Sequence, residues 1–441
     1  MIMENAIYKA IQETARMSEQ ERLATFRKRW EIYYGKGKKP LKPGNDGYDD
    51  SIRQNFARMF VDKGVSFLFG KEVGFDLTEG KDTAEELYLR SFWQANRQMS
   101  TLQKLATNGG VCGTAFIKFV WNPGMEFPRL VVVDPETVSV TLQEDDIDNV
   151  SSYEIKYPSL NSKNEPVGVR QVISREGKFW RILDQRGDIR AGNWYTIGEQ
   201  MWAYEFSPML HCQNLNAPNE FWGMSDIEDD IIEVIDKSNF VLSSILKTLR
   251  FHAFPKSYIT GINHSDDIEF GADKTLLLPV GAEYKTLEMQ SDLTSSITMH
   301  REMKELVHEL SRIPQIATGK VENIGQLSGV ALEILYQPLV EKTESKRVTY
   351  GELIIELNRR ALALAGKGDR FITNLHWQEM LPKDSLTEAQ AALTKKELGV
   401  SSATLIQELG FKPDEEKEKR KEDGGSIGKA LLEAFDRGEV E

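Results

Sequence analysis

The sequence predicts an α+β fold spread over several regions, and three observations carry that prediction. The chain has 441 residues, which at about 100–200 residues per domain means roughly two to four structural units. Helical periodicity occupies the N-terminal third and most of the chain after Ser225. Between them runs a series of strand-like segments with polar turns and no helix-length pattern separating them, so antiparallel hairpins are expected rather than βαβ units. Apolar residues make up 40% of the chain, enough to fill a core, while 28% are charged and the formal net charge is −13. That balance fits an elongated subunit, or one that covers surface in an assembly.

The elements follow in order. Residues 17–34 place Leu23, Phe26, Trp30 and Tyr33 at helical spacings, with Ser18 and Glu21 as a capping box. A breaker-rich stretch, Gly35 to Gly47, separates this helix from a second over 51–68 and a third over 83–108. The texture changes at Asn108-Gly-Gly110, where a tight turn into a strand is expected. Strands are predicted at 114–121, 130–133, 152–157, 168–173, 179–183, 195–197 and 202–206. Ser225-Asp-Ile-Glu228 reads as a capping box opening a helix that ends near Phe251, before Pro255. Strand-like 258–260 and 275–278 come next. A helix over 294–313 is stopped by Pro314, and a glycine-containing loop over 315–328 precedes a long helical pattern over 329–365. Pro338 should kink that helix by removing a hydrogen bond. A strand at 371–377, short helices at 386–398 and 401–409, and the mixed charge run 414–423 complete the chain.

Several classes are excluded at this level. The 2 Cys, Cys112 and Cys212, provide neither a disulfide framework nor a Cys-based zinc site. No apolar run approaches the roughly 20 residues of a membrane helix, and no signal peptide is expected at the start. Net acidity argues against a coat that binds nucleic acid by charge neutralisation alone. There is no Walker-type or dinucleotide-binding glycine motif, so no cofactor is called for. His300 and His308 fall on one predicted helix but lack the spacing of a zinc protease. Asp226, Glu228, Asp229 and Asp230 are acidic enough to raise the idea of a divalent metal, yet their place at a helix start explains them by capping and the helix dipole. No metal site and no catalytic residue is expected.

The remaining signal is architectural, and here the chain resembles the portal proteins of tailed bacteriophages, the head–tail connector. The resemblance rests on FSPMLHCQN at 206–214, then Gly223-Met-Ser-Asp-Ile-Glu228 and Ile235-Asp-Lys-Ser-Asn239. Asn108 to Ile117 with Val133-Asp-Pro-Glu-Thr-Val138, and Leu327-Ser-Gly-Val-Ala-Leu-Glu-Ile334, add to it. Leu210-His-Cys212 departs from it, being more polar than the family's strand. The resemblance implies an elongated portal fold with a β-rich wing (1–224), stem helices (225–252 and 294–313) and a small clip (253–293). A tunnel loop (314–328), a long kinked helix with wing return (329–382) and a helical crown (383–441) complete it.

By the same resemblance the chain forms a dodecameric ring at one capsid vertex, assembled in the host cytoplasm. Double-stranded DNA passes through its channel, and no membrane is involved. The implied partners are the terminase large subunit, the head-completion adaptor, and the capsid and scaffolding proteins. Lys320, Asn323 and Gln326 are then the DNA-facing residues, and Pro314, Gly319, Gly325 and Pro338 the hinge and kink positions. His264, Asp266, Asp267 and Glu269 are the clip contacts by position. Two other readings compete: a carboxylate- and metal-dependent DNA-processing enzyme using Asp226 and Glu228, and a scaffold without a channel.

Overall fold

The computed structural model describes residues 2–43, 47–77, 83–144, 146–253, 257–260, 281, 283–286, 293–319, 329–368, 370–381, 393–396, 398–402 and 404–405. Helix α1 spans Ile2–Tyr33 and α2 Phe56–Phe69, the latter capped by the Asn55 side chain, which accepts from the Arg58 N–H. Strand β1 is Gly74–Leu77. Helices α3 (Ala84–Ala95) and α4 (Gln98–Cys112) are followed by β2 (Thr114–Val120) and β3 (Arg129–Val133). Then come β4 (Val138–Gln143), β5 (Asp146–Leu160), β6 (Pro166–Glu176), β7 (Phe179–Asp188), β8 (Asn193–Trp202) and β9 (Met209–Gln213). Helix α5 is Asp229–Ala253, β10 Ser257–Thr260, β11 Glu283–Thr286 and α6 Thr294–Ser311. A single 3-10 turn over Gln315–Thr318, helix α7 (Gly329–Leu364) and β12 (Thr373–His376) complete the order.

The expected hairpins are present. Strands β4 to β8 form a five-stranded antiparallel meander in sequence order. One face carries Val138, Tyr153, Ile155, Ile173 and Trp180 into the core. Its other face carries a cross-strand polar ladder, in which Arg170 donates to Glu154 and to Gln185 (3.1 Å), and Gln185 donates to Thr196 (3.2 Å). Strand β2 is central in a second sheet, between β3 and β9, and β1 pairs with β12. The C-terminal half of α7 packs into this same core through Tyr350, Ile354, Leu357 and Ala361. Trp93 of α3 donates to Asn358 of α7 at 2.7 Å inside it. A second core gathers Phe26 of α1, Phe56 and Phe60 of α2, Ile231 and Ile235 of α5, and Val307 of α6.

Several boundaries differ from the sequence reading, each for a local reason. Helix α1 begins at Ile2, so Ser18 lies inside it and caps nothing. Residues 51–55 are not helical, and the N–H groups of Ile52 and Gln54 donate to α5 side chains instead of to a helix. The expected helix 83–108 is two helices, broken at Arg97, which adopts a left-handed φ of 51°. Helix α4 runs through Gly109 and Gly110, and the positive φ of the turn (82°) sits at Gly113. Helix α5 starts at Asp229, after the Ser225–Glu228 turn. Strand β8 ends at Trp202, and β1, β4 and β11 were not foreseen as strands, whereas β9 covers Leu210-His-Cys212, where the resemblance implied one. Residues 275–278 and most of the two C-terminal helical patterns lie outside the described residues, as does the charge run 414–423.

The chain divides into two compact units: residues 1–322 with 335–378, and residues 323–334 with 379–441. In the second, residues 393–396 are helical. Among the described residues no helix is long and apolar enough to cross a membrane.

Candidate functional site

Helices α5 and α6 pack antiparallel. Ile231 and Ile235 near the start of α5 share a core with Val307 near the end of α6, and Ser238 meets His300 Nδ1 at 3.2 Å. The chain between them includes the antiparallel pair β10–β11. After α6, Arg312 takes a left-handed φ of 57° and Pro314 starts the 3-10 turn, which Gly319 ends at φ 84°. Two of the sequence-predicted hinge positions, Pro314 and Gly319, therefore bracket one short turn. Helix α7 runs through Pro338 without interruption. Lys320, Asn323, Gly325 and Gln326, and the clip residues His264, Asp266, Asp267 and Glu269, lie outside the described residues.

The approach to α5, the end of α6, α4 and α7 meet at a buried polar junction. Lys342 and Lys346 stand one turn apart on α7, at positions whose neighbours Leu339, Tyr350 and Leu353 are core residues. Their ammonium groups hold the two oxygens of Asp226, Lys342 at 3.1 Å from Oδ1 and Lys346 at 2.6 Å from Oδ2. All three side chains are buried. Lys342 also donates to the Ser311 carbonyl (3.0 Å) at the end of α6. The Asp226 N–H donates to the Gly110 carbonyl (2.8 Å), and Asn214 donates to Asp226 Oδ1 (3.3 Å). Tyr350 donates to Asn214 Oδ1 (3.2 Å). One carboxylate thus ties the approach to α5, the end of α6, the middle of α7 and the C-terminal turn of α4.

The electrostatics are those of a buried ion cluster. Burial alone would raise the Asp226 pKa, but the two ammonium groups outweigh it and the net direction is down. Burial lowers the Lys346 pKa, and Asp226 offsets this only in part. Gly109 and Gly110 make the approach possible. A Cβ at Gly109 would lie 2.0 Å from the Tyr350 hydroxyl, and one at Gly110 2.9 Å from Asp226 Oδ2. Glycine inside a helix costs up to about 1 kcal/mol relative to alanine; here the close contact requires it.

This changes the reading of the acidic cluster. Asp229 and Asp230 do lie in the first turn of α5. Glu228 accepts from the Ser225 N–H (2.6 Å) and pairs with Arg29. Asp226 caps nothing: its carboxylate is occupied by two lysines more than 110 residues away in sequence. The signal that could have found it was a pair of lysines spaced four apart on the apolar stripe of α7. The histidines are also reassigned. His300 faces α5, whereas His308 Nδ1 lies 2.8 Å from the Ile313 carbonyl and its ring meets those of Phe56 and Phe60 edge-on. Cys112 and Cys212 are both buried; burial pushes the Cys112 thiol up and the Cys212 thiol up to about 12.

The polar departure at Leu210-His-Cys212 is accommodated by stacking. The His211 ring lies 4.0 Å from that of Phe221 at an angle of 21°, and its Nε2 is 2.5 Å from the Thr114 hydroxyl. Burial lowers its pKa to about 3, so at neutral pH it serves as an aromatic. A histidine whose folded pKa lies below its unfolded value stabilises fully above about pH 6.5 and loses that contribution as pH falls toward the folded value. Between pH 7.5 and 5.0 this one group should remove about 2 kcal/mol of stability, at about 1.4 kcal/mol per pH unit below 6.5. Urea unfolding at the two pH values, with wild type and His211→Phe, checks it. The variant should show the smaller pH dependence; an equal dependence would reassign the loss to other groups.

Comparison with known proteins comes down to one family and its fold. No curated protein matches the chain. Among solved structures, the neck of an empty GTA particle computed with C6 symmetry matches at 15% identity and a TM-score of 0.48, covering 85% of this chain and 93% of that one. The neck of a native GTA particle computed with C12 symmetry matches at 15% identity and a TM-score of 0.45, covering 81% and 90%. The family model described as phage portal protein, SPP1 Gp6-like, matches residues 16–429. A family-model match over residues 16–429, nearly the whole length, places this protein in the phage portal protein family.

Proposed function

We propose that this portal protein assembles as a dodecameric ring at one capsid vertex, with a central channel through which double-stranded DNA is packaged and later ejected. The observation that carries the reading is the family match over residues 16–429. Helices α5 and α6 form the stem and the segment containing β10 and β11 the clip, which docks the terminase large subunit and then the head-completion adaptor. Residues 1–224 form the wing, 314–328 the tunnel loop and 383–441 the crown. Capsid and scaffolding proteins surround the ring, which is built in the host cytoplasm and ends in the virion.

The reading makes the protein a structural conduit rather than an enzyme. The carboxylate-enzyme alternative needs Asp226 to be available to a metal, and that carboxylate is buried between Lys342 and Lys346. A channel through which DNA slides should hold few phosphates firmly, since each neutralised phosphate adds salt-sensitive affinity and therefore drag. The net charge of −13 per chain fits that requirement. Lys320 is the proposed phosphate contact, with Asn323 and Gln326 as uncharged neighbours.

Negative-stain images of the purified chain should show rings with a central hole; particles without one would favour the plain scaffold. Lys320→Glu should leave rings intact and lower packaged DNA by about tenfold or more in a packaging assay, one such factor corresponding to about 1.4 kcal/mol. Packaging at the wild-type level would remove Lys320 from the DNA path.

A further inference from the structure

We infer that neighbouring copies join through a charge-matched seam, the acidic back of α6 on one copy against the basic loop beside α5 on the next. This rests on the ring reading above and assigns it residues. At about 100° per residue, Glu302, Glu305 and Glu309 lie on the side of α6 opposite His300, the residue that faces α5. All three are exposed, and none pairs with a cation among the described residues. Beside them Leu306 and Leu310 are 42% and 39% exposed. A helix of a lone globular subunit would be expected to keep such leucines covered.

The complementary surface is on the far side of α5. The non-helical stretch 50–54 is strapped along that helix. Ile52 N–H donates to Ser243 Oγ (2.9 Å), Gln54 N–H to Asn239 Oδ1 (2.9 Å) and Arg250 to Asp50 (2.6 Å). Arg53 in turn donates to the Gly35 and Gly37 carbonyls, at 2.9 and 2.8 Å, and so fixes the loop that carries Lys36, Lys38 and Lys42. These three lysines are exposed. Lys38 acts electrostatically on Asp236, which is about 160° round α5 from Ser238, the residue facing α6. Phe240, on the same outer side of α5, is 52% exposed.

The pair α5–α6 thus presents an acidic and leucine-bearing surface on one side and, on the other, the basic loop beside an exposed phenylalanine; of the exposed carboxylates on that side of α5, Asp229 pairs with Lys28, Glu233 with Lys237, and Asp236 faces Lys38. Two different, complementary surfaces on opposite sides of one unit make a heterologous contact, which repeats head to tail and closes into a ring where the rotation between copies divides a full turn. Opposite charge across it fixes register and speeds encounter more than it adds affinity. The basic loop alone would also suit a nucleic acid, but that would leave the acidic and apolar back of α6 without an occupant.

The test uses full-length chains and mass photometry at about 0.1 M salt, where the Debye length is about 10 Å. The triple variant Glu302→Lys, Glu305→Lys, Glu309→Lys should lower the ring fraction at least tenfold, and so should Lys36→Glu, Lys38→Glu, Lys42→Glu. All six residues are exposed, so circular dichroism and thermal midpoint should match wild type. Combining both sets in one chain should restore rings, because each seam then regains opposite charges. Rings unaffected by either single set, or a combined variant no better than either alone, would overturn the seam. A basic-loop variant that keeps its rings but loses retention of a duplex DNA fragment would overturn it too, in favour of a nucleic-acid contact. Wild-type protein that forms no ring under any salt or concentration fails the ring reading itself, and is distinguishable because no variant is then involved.

Discussion

Asp226→Asn should destabilise the subunit by about 3–5 kcal/mol, the range measured when one partner of a buried ion cluster is removed. The geometry explains the size. Lys342 and Lys346 both point at this one carboxylate, and both are buried. Without its charge two ammonium groups are left facing each other in a medium that solvates them poorly. Urea unfolding at fixed protein concentration, compared with wild type, measures the loss. Fixed concentration matters because association shifts apparent stability. A loss below about 1 kcal/mol would show that the cluster is dispensable, since that is the scale of an exposed pair. Replacing Asp226, Lys342 and Lys346 together by apolar residues of similar volume should recover much of the loss, because it removes the desolvation cost along with the attraction. The acid dependence of this cluster also has a definite sign. The Asp226 pKa is lowered, so its contribution is present above the ordinary carboxylate range and is lost only as pH falls through the depressed folded value. Acidification to pH 5 should therefore act through the buried histidines and leave this junction intact.

Gly113→Ala should cost about 3 kcal/mol or more and yield largely insoluble protein. Two effects add. The residue has φ 82°, where a side chain costs about 1–2 kcal/mol. A Cβ there would also lie 2.2 Å from the Gly223 carbonyl oxygen, a backbone atom that cannot swing away as a side chain would. Gly113 ends α4, with its N–H donating to Gly109 (2.7 Å), and its carbonyl accepts from Asn214 (2.9 Å) on the way to the junction. Displacing it moves α4, β2 and the residue that holds Asp226 at once. Gly192→Ala is the control. Its φ is 69° but nothing lies within 4 Å of the added carbon, so only the conformational cost of about 1–2 kcal/mol should appear. Equal losses at both positions, measured by thermal or urea unfolding, would show that the approach of the two backbones is not what Gly113 serves.

Much of the architecture was legible because it is local. Hairpin spacing over the middle of the chain gave the antiparallel meander, since alternation needs only neighbours in sequence. Periodic apolar residues gave α2, α5, α6 and α7 within a few residues at their ends. The errors lay where distant contacts override local preference. Residues 51–55 carry a helical pattern, yet the N–H groups of Ile52 and Gln54 go to Ser243 and Asn239 of α5. Gly109 and Gly110 look like breakers, yet α4 continues through them because Tyr350 and Asp226 need the space a side chain would fill.

From the sequence alone came the class of fold, the order of its longer helices and of the meander, and the resemblance that the family match then established, because periodicity, caps and turn residues act over a few positions. The tertiary structure decided the meaning of Asp226. Among four acidic residues at the head of one helix, local chemistry makes all of them look alike. Burial against two lysines of another helix, 116 and 120 residues onward, separates one from the rest, and only folding creates that low-dielectric contact.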